Sequence, residues 1–231
     1  MTTRIEPEWL LDLFPNQVEE TSSILWNRET DRVEKSSALM YGKLVITETR
    51  GAASEPEAAD LLARKALEVG IDQFVERELL EQFQARLNFA GFELPDIPAA
   101  LRELCCGLQS FNELRAAGKN FIPLFERSLN IKLLNEIAPL TIRLNSGRPT
   151  KVHYEQERPP WISSRLQDFF GMKDTPRIGP QRTPVVIHLL APNHRAVQTT
   201  TDLAGFWDRL YPQVRKELMR RYPRHSWPER P

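Results

Sequence analysis

Residues 200–231, TTDLAGFWDRLYPQVRKELMRRYPRHSWPERP, decide how the rest of the chain is read. Leu203, Phe206, Trp207, Leu210, Tyr211, Val214, Leu218 and Tyr222 recur at steps of three and four, the spacing that gathers side chains on one side of an α-helix. Asp202 stands where an N-cap is needed. Pro212 has no N–H to give to the preceding turn and disfavours helix at Tyr211, so a kink is expected there, or a second helix with Pro212 in its first turn. Arg215, Lys216, Arg220 and Arg221 crowd the last turns, where cations face the carbonyl end of the helix dipole, and Pro223 ends the helix.

Such a helix needs an apolar layer to lie on, and the preceding residues supply one. From Pro139 the period shortens to that of strands. LTIRL, NSGRP and TKVHYE read as a hairpin turning at Asn145 to Arg148; PVVIHLL, APNHR and AVQTTT read as a second one. Between them, Ile162, Leu166, Phe169 and Phe170 predict an amphipathic helix over Trp161 to Phe170, capped by Gly171, with Arg177 to Thr183 as the following loop. The C-terminal third therefore reads as two hairpin-plus-helix units roughly fifty residues apart, forming a four-stranded antiparallel sheet with two helices on one face.

Further upstream, Glu57 to Val69, Asp72 to Asn88, Pro98 to Cys106, the FNELRAAG segment and LFERSLNIKLLNEIA carry helical stripes. Gly70, Gly91 and Gly107 are expected helix ends, and Ser110 with Glu113 forms a capping box. ILWN, RVEKSSALMY and KLVITETR predict a three-stranded meander, and Ile5 to Phe14 a short helix ended by Pro15. The expected class is α+β in three parts: residues 1–50 (helix and meander), 56–138 (helical bundle) and 139–231 (sheet with helices). Cys105 and Cys106 are adjacent, a poor geometry for a disulfide, and read as small buried apolar residues, with a redox role as the second reading.

The run DLAGFWDRLYPQVRKELMRRYPRHSWPERP closely resembles the C-terminal signature of HrpB-type helicases, bacterial ATP-dependent RNA helicases of the DEAH/RHA class. RLQDFFGMKDTPRIG (Arg165 to Gly179) and IEPEWLLDLFP (Ile5 to Pro15) resemble HrpB segments in the same order. The resemblance implies that the meander is the end of an OB-like barrel, which needs about five strands and is therefore incomplete here. It also implies helicase motor domains as partners, on the same or a separate chain, with RNA or a further protein engaged through this region. ATP and magnesium are expected only in those motor domains. This chain has no GxxxxGK[ST] loop to cradle phosphates: Gly42-Lys43 and Gly118-Lys119 lack both the upstream Gly and the following Ser or Thr, and no DEAH box is present.

Charge and composition narrow the rest. The net charge is zero, but residues 1–147 hold 16 Lys and Arg against 23 Asp and Glu, and residues 148–231 hold 15 against 8. Three readings fit a basic C-terminal third: a nucleic-acid surface, a docking surface for an acidic partner or for the chain's own acidic part, or a solvated face. As a phosphate-binding surface it rests on Arg215, Lys216, Arg220, Arg221 and Arg224, helped by Arg148, Lys151, Arg165 and Arg195, with His225 and Trp227 as stacking partners. Trp207 belongs to the apolar stripe, while Trp161 and Trp227 flank prolines and read as pins for the chain. His153, His188, His194 and His225 show no metal-ligand spacing, and no nucleophile, base and orienter converge, so neither a metal nor a catalytic residue is expected. Because no apolar run approaches the roughly 20 residues of a membrane span, and the N-terminus lacks a signal-peptide core, a cytoplasmic protein with no membrane partner is expected.

Overall fold

Long β-forming runs on the N-terminal side pair in sequence order. The computed structural model describes residue 9, residues 13–53 and residues 56–231, so most of the helix expected over Ile5 to Phe14 lies outside the described residues. The chain divides into two compact units: described residues up to Arg77 with Pro95–Arg127, and Glu78–Leu94 with Ser128–Pro231. Residues 56–138, read from the sequence as one helical region, are thus shared between the units.

In the first unit, β1 (Val18–Asn27), β2 (Arg32–Tyr41) and β3 (Leu44–Ala52) form the expected antiparallel meander. Its first turn is held by the Asn27 side-chain oxygen, which accepts from the backbone N–H groups of Glu29 and Thr30. The helices are α1 (Pro56–Val69), α3 (Ile97–Leu104), α4 (Phe111–Ala117) and α5 (Phe121–Ser128). One face of α1 buries Ala58, Ala59, Leu62, Ala63 and Ala66. The Ser110 hydroxyl caps α4 by accepting from Glu113 N–H at 3.3 Å, and the Glu113 carboxylate accepts from Gln109 N–H at 2.7 Å, one residue beyond an ordinary capping box. Two backbone hydrogen bonds, Val33 N–H to Gln109 O and Phe111 N–H to Asp31 O, fasten β2 and its turn to this helix entry. Trp26 and Phe74 pack on the Phe111 ring at 4.7 and 4.8 Å between centroids.

The second unit takes nearly all of α2 (Arg77–Ala90), together with α6 (Ile131–Ile137). Arg86, almost fully buried, joins them: its Nε donates to Ala138 O at 2.8 Å and its NH2 to Asn135 Oδ1 at 2.6 Å. A buried guanidinium is tolerable only because carbonyl acceptors replace its water.

The sheet of this unit differs from the expected one. It has five strands in the order β10-β9-β6-β5-β4, with β4 (Thr141–Arg143), β5 (Pro149–His153), β6 (Trp161–Arg165), β9 (Val186–Leu190) and β10 (Ala196–Thr200); β7 (Arg177–Ile178) and β8 (Thr183–Pro184) make a separate short pair. Both predicted hairpins are present, but Trp161 to Phe170 is not an α-helix. WISSR inserts as a strand, antiparallel to β5 and parallel to β9, and Leu166–Phe169 forms a 3-10 turn. The sheet is therefore mixed, and the two hairpin-plus-helix units of the sequence reading are not repeats. Ile162, Leu166 and Phe169 do lie at helical spacing, yet all three are fully buried without sharing a helix. In WISSR the period is two: Ile162 and Ser164 point inward, Trp161, Ser163 and Arg165 outward. The α+β class stands.

The C-terminal segment follows the sequence closely. The Asp202 carboxylate caps α7 (Leu203–Gly205) by accepting from Gly205 N–H at 2.8 Å. A π-turn over Phe206–Leu210 leads into α8 (Tyr211–Arg221), with Pro212 in its first turn. Pro212 cannot donate to the carbonyl four residues back, and the turn before it widens, Tyr211 N–H bonding to Phe206 O. The wider turn rotates the stripe: Leu203, Phe206, Tyr211 and Leu218 are buried, whereas Leu210, read as part of the same stripe, is 44% exposed.

Candidate nucleic-acid interface

The end of α8 carries the cations that the sequence singled out, and the structure sorts them by what they touch. Arg215 is half-buried. Its Nε donates to Trp227 O at 2.8 Å and its NH1 lies 3.6 Å from the Glu229 carboxylate, so it holds the C-terminal tail rather than facing a ligand. Lys216, Arg220, Arg221 and Arg224 are exposed, and none of them forms an ion pair among the described residues. Lys216 and Arg220, four apart, share one side of the helix. The charges of Arg220 and Arg221 lie in the last turn of α8, at the carbonyl end of its dipole, which favours keeping them there without a carboxylate.

Trp227, proposed from the sequence both as a stacking partner and as a pin, is a pin. It is 6% exposed, its Nε1 donates to Tyr222 O at 3.0 Å, and its ring packs near Phe170. Around it, Tyr211 Oη donates to Pro228 O at 2.8 Å and Gln167 Nε2 to Ser226 O at 3.3 Å. Burial pushes the Tyr211 phenol up, so it stays a donor. His225 is exposed, with Trp227 and Tyr222 each 6.3 Å from its ring.

The remaining predicted cations lie elsewhere. Arg165, at the end of β6, and Arg148, in the β4–β5 turn, meet at a single buried carboxylate: Asp168 Oδ2 is 3.7 Å from Arg165 Nε and 3.9 Å from Arg148 NH1, and accepts from the Ser164 hydroxyl at 2.6 Å. Much of their charge is thus committed. Arg195 sits exposed in the β9–β10 turn, its N–H held by Asn193 Oδ1. Lys151 is exposed on β5.

Sequence reasoning missed an aromatic array on the outward face of the sheet. His153 and Trp161, cross-strand partners on β5 and β6, stack with centroids 3.9 Å apart and planes 9° from parallel. His188 on β9 meets Trp161 edge-on at 5.0 Å, and its Nδ1 pairs with Thr199 Oγ1 at 2.9 Å. Burial lowers the pKa of His153, with the nearby Lys151 adding to the effect, so the stacked ring is neutral near pH 7. Trp161 Nε1 donates to Glu155 Oε1 at 2.8 Å, and that bond, with a second from Arg158, holds the Glu155 carboxyl below its usual range. The signal available in the sequence was the alternation of WISSR, hidden by a competing helical spacing. Tyr154 points the other way, buried, with its hydroxyl donating to Pro139 O at 2.8 Å. No group of three metal-ligating side chains gathers among the described residues.

Residues 101–231, more than half of the chain and all of α8 with its tail, match the ATP-dependent helicase C-terminal family, HrpB_C. The chain belongs to that family. An HrpB relative extends the match further: the ATP-dependent RNA helicase HrpB of Escherichia coli (strain K12) is 26% identical over 244 residues, covering 98% of this chain and 30% of the relative. Two solved structures share the fold. A crystal structure of the E. coli DExH-box NTPase HrpB aligns over 99% of this chain and 30% of its own length, with a TM-score of 0.69 at 23% identity. A second, of the Escherichia coli DEAH/RHA helicase HrpB, aligns over 91% and 29%, with a TM-score of 0.60 at 23% identity. The chain thus spans under a third of the length of the HrpB relatives it matches. Among its described residues no helix is long and apolar enough to cross a membrane.

Proposed function

We propose that this chain is the accessory C-terminal region of an HrpB-type ATP-dependent RNA helicase, working in the cytoplasm beside motor domains that bind ATP and magnesium, and that it offers RNA a phosphate-binding surface at the end of α8. One observation carries the reading. Arg215 is spent on the tail, yet Lys216, Arg220, Arg221 and Arg224 stay exposed without an ion pair among the described residues. Cations needed only to complement the helix dipole gain little from such crowding, because like charges one turn apart repel. A polyanion removes that repulsion, and phosphates are the acceptors that arginine forks fit best.

The test is fluorescence-anisotropy titration of a single-stranded RNA with the chain across a salt series. Micromolar affinity falling steeply with salt is expected, and Arg220→Glu with Arg221→Glu together should weaken it. Loss of two phosphate contacts should reduce the slope of log K against log salt by about 1.4. No binding at low salt by a folded chain would refute the RNA role and leave docking to the motor domains, or to another protein, as what this region does.

A further inference from the structure

The outward face of the five-stranded sheet carries a second feature that the end of α8 does not explain. In-register neighbours share a face, so pairing puts Lys151 beside Thr141, His188 beside Ser163 and Thr199, and Arg143 beside Pro149. Together with the stacked His153 and Trp161, this face combines flat aromatic rings, hydroxyls and cations, and no Asp or Glu occupies an outward strand position next to them. Arg143 and Lys151 are exposed and form no ion pair among the described residues. Carboxylates lie off both ends of β6: Glu155, held by Trp161 and Arg158, and Glu78, which acts on His153 from α2, near Trp161, and the buried Asp168, taken up by Arg165 and Arg148, at the other.

We infer that this sheet face is a platform for unpaired nucleotides of single-stranded RNA, with a base adding to the His153–Trp161–His188 array and the backbone phosphates running away from Glu155 toward Lys151 and Arg143. The inference deepens the RNA-binding reading above and rests on it. Three physical points argue for this occupant. A Trp and two His presenting ring faces and edges on an open sheet offer base stacking, which tolerates any sequence. A duplex keeps its bases stacked on one another and cannot use such rings, so the single strand is selected. Arg143 and Lys151, which form no ion pair among the described residues, complement phosphate and disfavour an acid-poor or basic partner. A neutral His153 also stacks on Trp161 without carrying a charge that would need its own counterion.

The experiment uses the full chain and a 12-nucleotide single-stranded RNA containing 4-thiouridine, with anisotropy for affinity and mass spectrometry for the crosslinked peptides. Three proteins are compared: the unaltered chain, Arg143→Glu/Lys151→Glu, whose positions are exposed and leave the core alone, and Trp161→Leu, which keeps an apolar side chain but removes the stacking face and the bond to Glu155. Crosslinks to β5, β6 or β9 are expected, with affinity falling about tenfold or more in the charge variant and about fivefold or more in Trp161→Leu. If Trp161→Leu fails to fold, the crosslink positions and the charge variant decide. An unaltered chain that binds RNA, with crosslinks confined to α8 and a charge variant of equal affinity, overturns the platform and leaves the α8 reading intact. An unaltered chain that does not bind removes both.

Discussion

Trp227→Ala tests whether the C-terminal tail is part of the core or an appendage. Trp227 is 6% exposed, and a tryptophan withdrawn from water removes about 200 Å² of surface. At about 25 cal/mol per Å² that is about 5 kcal/mol, and allowing for surface already hidden in the unfolded chain reduces it to about 3–4 kcal/mol. The hydrogen bond to Tyr222 O adds little net, since that carbonyl still accepts from His225 N–H and finds water once the ring is gone. The tail's other ties, Tyr211 to Pro228 and Arg215 to the Trp227 carbonyl, are geometrically local and should loosen with it. The assay is urea denaturation followed by far-UV circular dichroism, with limited tryptic proteolysis after Arg224 as a second readout. Expected are a loss of about 3–4 kcal/mol and faster cleavage of the tail. A loss below about 1 kcal/mol, with cleavage unchanged, would show that the aromatic packing around Phe170 and Tyr211 does not depend on the tail and would refute the reasoning.

Two other sites give sharp expectations. A Cβ on Gly118 would run into the backbone carbonyl of Phe74, which cannot swing aside as a side chain can, so Gly118→Ala should cost about 1–3 kcal/mol in the same denaturation assay; an unchanged midpoint would mean that this contact is loose. Cys105 is fully buried as expected but Cys106, read from the sequence as buried too, is exposed, with burial pushing the Cys105 thiol from 9.0 up to about 12, so a thiol reagent at pH 8 should modify one cysteine in the folded chain and two in denaturant. Between pH 9 and about 12 the folded chain keeps a proton at Cys105 that the unfolded chain releases; stability should fall as pH rises through that window, and Cys105→Ala should remove that part of the decline.

The basic side chains are brought together in two different ways. Lys216, Arg220 and Arg221 could be counted from the sequence because a helix makes neighbours of residues three and four apart. Arg148, Arg165 and Asp168 could not be grouped in that way, since strand pairing and a 3-10 turn bring them together. The same limit hid the His153–Trp161–His188 array, whose members come from three strands and whose β6–β9 contact is parallel.

By itself the sequence determined the elements whose periodicity is local and unopposed: the meander, both hairpins, the capped helix entries at Ser110 and Asp202, and the break imposed by Pro212. Backbone chemistry acts within four residues there, so a short window contains its cause. Tertiary structure alone decided that WISSR is a strand, because Ile162 satisfies both a helical and an alternating pattern until a neighbouring strand offers its hydrogen bonds. It also decided which arginines are free, since a guanidinium shows its role only through the carboxylate or carbonyl that packing puts beside it. Leu210 belongs to the same class: one widened turn, too small to register in the stripe, rotates it from the core to solvent.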